Sequence, residues 1–156
     1  MSISIEQQLR DNGFYVSTTV GVSMRPMLRN RRDRVIIRAI GDERLQKWDL
    51  PLYQTPDGKY LLHRVIGFSK DGRYIIRGDN TYQKEYIPHD RILGVVTEFY
   101  RGERHVLSSN RAYRLYAAFW NMIYPLRRLF RRPISWLARL KSQILHRRST
   151  KHDSQS

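Results

Sequence analysis

A chain of 156 residues with 40% hydrophobic side chains is enough for one compact domain with appendages. It has no cysteine, which excludes disulfides, thiolate metal sites and a cysteine nucleophile. The net charge of +15 is uneven: residues 111–156 hold eleven Lys or Arg against one acid, Asp153, so +10 lies there, a balance suited to an anionic membrane surface or nucleic acid.

The first thirteen residues carry Glu6, Arg10 and Asp11 and lack an apolar run, so they do not read as a secretory signal. Ile5 and Leu9 fit a short amphipathic helix stopped by Gly13. Phe14 to Val22, rich in Val, Thr and aromatics, predicts a strand leading into Ser23-Met24-Arg25-Pro26. Proline can begin a helical turn because its missing N–H would be unpaired there. Further strands are predicted over Arg34 to Ile40, Pro51 to Gln54, Lys59 to Phe68, Arg73 to Arg77 and Ile92 to Arg101. Turn signals at Thr55-Pro56-Asp57-Gly58 and Ser69-Lys70-Asp71-Gly72 separate three of them. The fold class expected is mainly β: a small mixed or antiparallel β domain with a short N-terminal helix and a basic amphipathic helical C-terminal tail.

Ser108-Ser109-Asn110 reads as a helix cap. Beyond it Leu115, Ala118, Phe119, Met122, Ile123 and Leu126 recur at helical spacing, as do Ile134, Leu137, Leu140 and Ile144 past Pro133. The division expected is a β domain over 1–110, a helical tail over 111–148 and a disordered end over 149–156. The longest uncharged stretch of the tail, Leu115 to Leu126, is short of the ~20 residues that span a bilayer. Two readings of the tail compete. It packs its apolar face on the β domain, or it lies on a membrane, with Arg127, Arg128, Arg131 and Arg132 facing anionic headgroups and Trp120 and Trp136 at the interface. Nucleic acid ranks behind both, because no recognition motif accompanies the charge.

Three residues suggest chemistry. Ser23 stands at a strand-to-turn junction whose backbone N–H groups could face a developing oxyanion. His63, in Leu61-Leu62-His63-Arg64-Val65-Ile66, offers a base that accepts a proton near neutral pH. Asp79, in Arg77-Gly78-Asp79-Asn80, offers a carboxylate at a strand end. A serine hydroxyl needs such a base to become a nucleophile. Each residue also has an ordinary reading: a turn, a strand histidine, a Gly-Asp-Asn turn. The remaining histidines lack metal-ligand spacing, and no metal or cofactor is expected.

Taken in order, these pieces resemble the signal peptidase superfamily of serine proteases over about Thr18 to Tyr100. Arg32-Asp33-Arg34-Val35-Ile36-Ile37 and Lys47-Trp48-Asp49-Leu50-Pro51-Leu52-Tyr53 resemble its two aspartate-then-strand segments. Histidine at position 63, where many bacterial members have lysine, matches the endoplasmic-reticulum and archaeal subgroup. The resemblance implies a cofactor-free endopeptidase acting on a leader or signal-type peptide, with small residues before the scissile bond. Ser23 would be nucleophile, His63 base and Asp79 its orienting acid. The subgroup often has a second aspartate six residues on, where this chain has Glu85, so Glu85 and Met24 stand as supporting candidates. Self-cleaving repressors of the same superfamily pair serine with lysine and carry a DNA-binding domain, unlike this chain. The localisation expected is cytoplasmic and peripherally membrane-bound. The alternative is a non-catalytic membrane- or nucleic-acid-binding module that reuses the fold.

Overall fold

The structure, a computed structural model, describes residues 4–129. Arg131, Arg132, Trp136, the expected helix beyond Pro133 and the end from residue 149 lie outside the described residues. The chain opens with α1 (Ile5–Asn12), capped by the Ser4 side chain, which accepts from the Gln7 N–H at 3.2 Å. Gly13 closes it at φ 76°, a left-handed conformation that glycine adopts without steric cost, and its N–H bonds back to Leu9 O.

Among the described residues nine strands follow: β1 (Phe14–Thr18), β2 (Arg34–Ala39), β3 (Pro51–Gln54), β4 (Tyr60–Leu62), β5 (Arg64–Phe68), β6 (Tyr74–Arg77), β7 (Glu85–Ile87), β8 (Ile92–Arg101) and β9 (Arg104–Leu107). A single 3-10 turn, His89–Arg91, precedes β8, and α2 (Arg111–Met122) comes after β9. The protein is thus mainly β, and every strand pairing is antiparallel.

One sheet runs β1-β2-β8-β3-β4, with β9 also on β8, and a second runs β5-β6-β7. The ten-residue β8 organises the first. Residues 94–100 of it pair β2, while its other edge is shared between β3 at residues 92–95 and β9 at residues 98–101. Alternation along β8 sends Ile92, Gly94 and Val96 inward, and an extra residue at Thr97, where the register with β2 shifts, brings Phe99 inward as well. Val96 and Phe99 join Val35, Ile37, Leu50, Leu52 and the turn residues Met24, Met27 and Leu28 in one core. Ile92 joins Tyr53, Val65, Tyr74 and Ile76 in the other. Each fully buried side chain of this kind contributes about 1.5–3 kcal/mol relative to exposure.

Two expected strands come out differently. The first ends at Thr18, because the Thr19 hydroxyl donates to Arg29 O and Asp33 O and turns the chain away from the sheet. The run from Lys59 to Phe68 is two strands, β4 in the first sheet and β5 in the second, with His63 between them. The periodicity of Tyr60 to Phe68 carries no sign of this change of sheet. β7 has no sequence counterpart among the expected strands.

The Asn110 cap forms as expected, its side-chain oxygen accepting from the Ala112 and Tyr113 N–H groups. The first compact unit, however, runs through Asn121 rather than ending at residue 110. Tyr113 and Ala117 are buried, so the opening turns of the expected tail belong to the β domain. In the second unit residues 124–129 are again helical, and Leu126 and Leu129 are exposed.

Candidate active site

Ser23 lies in a turn whose base is fixed by one buried acid. Asp33 accepts from the Arg29 N–H at 2.8 Å and the Gly102 N–H at 3.2 Å, and it is wholly shielded from solvent. Asn30 Oδ1 accepts from the Gly21 N–H at 2.9 Å. Met24, Met27 and Leu28 insert into the core, so the turn is anchored by packing as well as by hydrogen bonds. Met24 therefore supports Ser23 through the core. Among the described residues, the backbone N–H groups of Ser23 and Met24 bond to no acceptor.

The loop after β6 holds the serine turn against His63. The Asn80 N–H donates to Ser23 O at 2.7 Å and the Asn80 side chain to Val22 O at 3.2 Å. A Cβ on Gly78 would stand 2.8 Å from Ser23 O and 3.1 Å from His63 Cδ2. Ser23 and His63 therefore converge over Gly78, and only a residue without a side chain lets them approach so closely.

The third group differs from the expectation. Asp79 does not bond to His63. Its two oxygens accept from Arg64 Nε and Nη2, both at 2.7 Å, in a fully buried fork-to-fork pair. Arg64 also donates to Trp48 O at 3.1 Å, to the Tyr113 hydroxyl at 2.8 Å and to Met27 Sδ at 2.9 Å. Burial opposes the guanidinium charge, but Asp79 and Tyr113 outweigh it and hold the group above its ordinary range. A carboxylate committed to this cation serves the loop rather than the histidine.

Glu85, on β7, takes the position beside His63. Its Oε1 lies 3.0 Å from His63 Nδ1, and the Tyr53 hydroxyl lies 3.0 Å from the same nitrogen. His63 is nearly enclosed, while the Glu85 side chain is 24% exposed. Glu85 is thus bonded to His63, and the backbone of the Ser23 turn lies close to the ring. Among the described residues no hydrogen bond joins the Ser23 hydroxyl to His63, and Asp79 is bonded to Arg64.

A cavity of about 240 Å³ opens beside Ser23, lined by Tyr15, Val20, Met24, Ile37, Leu52 and Leu62 among others. Asp49 accepts from the Gln46 N–H and from Arg114, a turn and helix-docking role. Among the described residues, no group of three or more His, Asp or Glu is placed to hold a metal ion, and no helix is long and apolar enough to cross a membrane.

Of the expected membrane residues, Trp120 is half-buried, donates its Nε1–H to Asp79 O at 3.0 Å and stacks on Tyr116. Its ring is committed to the domain. Leu115, Phe119 and Met122, at 71%, 55% and 70% exposure, instead form the open face of α2. Arg128 is exposed and Arg127 half-buried. Comparison with models of protein families found no match, and a search of curated proteins found none.

Proposed function

We propose that the domain is of the signal-peptidase type and is a serine endopeptidase with a Ser23/His63/Glu85 site. The observation that carries this reading is the convergence of the Ser23 turn and His63 over Gly78, with an acid on the far nitrogen of the imidazole. With its proton on Nδ1 and directed to Glu85, His63 has a lone pair on Nε2 for the Ser23 hydroxyl. Ser23 Oγ attacks the scissile carbonyl carbon as Nε2 takes its proton. The backbone N–H groups of Ser23 and Met24 are available to the oxyanion. Return of the proton to the leaving amine gives the acyl-enzyme, and water activated by the same base releases the acid. The cavity beside Ser23 accepts an apolar side chain of the substrate. Its volume exceeds the ~150 Å³ that suffices for benzene, so residues larger than alanine fit as well.

Covalent labelling by a serine-reactive phosphonate probe tests the reading. Labelling lost in Ser23→Ala is the supporting result. A full chain that takes no label, yet still binds membranes, favours the non-catalytic module.

The partner proposed for the basic segment is an anionic membrane surface, bound peripherally. Its support is the exposed Leu115, Phe119 and Met122 face, followed in sequence by Arg127, Arg128, Arg131 and Arg132. Each basic side chain near an anionic leaflet contributes ~1 kcal/mol, so replacing all four with Gln weakens binding by roughly 10³-fold. Sedimentation with anionic and neutral liposomes reads this directly. Binding should be stronger to anionic vesicles and fall with salt; equal binding by the four-Gln variant rejects the proposal.

A further inference from the structure

Tyr53 lies on β3, between β4 and β8, and is wholly buried. Its hydroxyl and Glu85 Oε1 both stand 3.0 Å from His63 Nδ1, which carries at most one proton. With that proton directed to Glu85, the phenol O–H can turn from Nδ1 to the Glu85 carboxylate, which reaches the same nitrogen. Burial first, and then the Glu85 charge and hydrogen bond, hold the phenol well above its ordinary range. It therefore stays a donor wherever imidazole titrates. Glu85 needs such a restraint, because it projects from a three-residue edge strand and is partly exposed.

We infer that Tyr53 is a positioning residue whose O–H holds the Glu85 carboxylate against His63 Nδ1, fixing the proton there and the lone pair on Nε2. Its catalytic consequence rests on the proposed peptidase reading; its effect on the imidazole does not. The ionisable groups bonded to the ring are Glu85 from β7 and Tyr53 from β3. Arg64, at the start of β5, and Asp79, in the loop after β6, neutralise each other. Lys84, beside Glu85 in the chain, is exposed. The serine turn brings the Ser23 carbonyl.

The test is an NMR titration of the His63 imidazole in the full chain, with Tyr53→Phe, Glu85→Gln and the double variant. A nearby carboxylate favours the charged ring, so loosening it moves the midpoint to lower pH, by about 0.5 unit or more. Tyr53→Phe should produce that shift, reduce the Nδ1–H tautomer, and add little in the Glu85→Gln background. Turnover by Tyr53→Phe should fall about tenfold in kcat with KM nearly unchanged. An unchanged midpoint and tautomer in folded Tyr53→Phe, or full additivity in the double variant, overturns the inference. Should Tyr53→Phe not fold, Glu85→Asp supplies the reading: it shortens the reach by one methylene, and a tautomer unchanged from wild type overturns the inference. Because the titration uses no substrate, failure of probe labelling at Ser23 rejects the peptidase reading while leaving the Tyr53 result to stand or fall alone.

Discussion

Ser23→Ala is expected to abolish peptide hydrolysis and probe labelling while leaving the thermal unfolding midpoint unchanged. The hydrogen bond that Ser23 supplies to the surrounding loop comes from its carbonyl, which accepts from Asn80, so alanine keeps it. His63→Ala should remove nearly as much activity, because nucleophile and base act as one unit and the loss of either is on the order of 10⁶ in kcat. With wild type, activity should rise with pH as the imidazole loses its proton. Turnover by folded Ser23→Ala within tenfold of wild type, or a profile rising only above about pH 9, rejects the mechanism.

Asp79→Ala should act on stability instead. It leaves the Arg64 guanidinium, which is wholly buried, without its counter-charge. Breaking such a pair by removing one partner costs about 3–5 kcal/mol, a fall in unfolding midpoint of about 10 °C for a domain of this size. Glu85→Gln should show the opposite balance, with large loss of turnover and little loss of stability, because Glu85 is partly exposed. Thermal melts and turnover on the two variants decide between the carboxylates. An Asp79→Ala protein as stable as wild type but inactive would return Asp79 to the role at His63.

Most of the strand positions were legible in the sequence, because turn chemistry and strand-forming composition speak locally. Gly13 and the two Asp-Gly turns each act over a few residues. What was not legible depended on which strands meet. The choice between Asp79 and Glu85 turns on Arg64, a residue that sequence reasoning passed over because its side chain points away from that of His63. A buried arginine needs a carboxylate, and Asp79 is the one in reach. Nothing local in Leu62-His63-Arg64 announces that one neighbour enters the site and the other the interior. Tyr53 was missed for the same reason, being an unremarked aromatic in a core strand until β7 brings Glu85 beside it. The spacing from Asp79 to Glu85 was the one signal available, and it pointed to the right residue for only a supporting part.

The docking of α2 also determines the smallest piece of this protein able to fold. A chain stopped at Asn110 would lack Tyr113, and with it an acceptor for Arg64 and the ring that meets Phe99 edge-on at 5.0 Å. It would lose the Trp120 contact to Asp79 and the Asn121 acceptor for Arg77 as well. Those contacts brace the back of the loop whose front holds Ser23. The first compact unit ends at Asn121, so a truncation made to test the proposed peptidase should be cut after that residue.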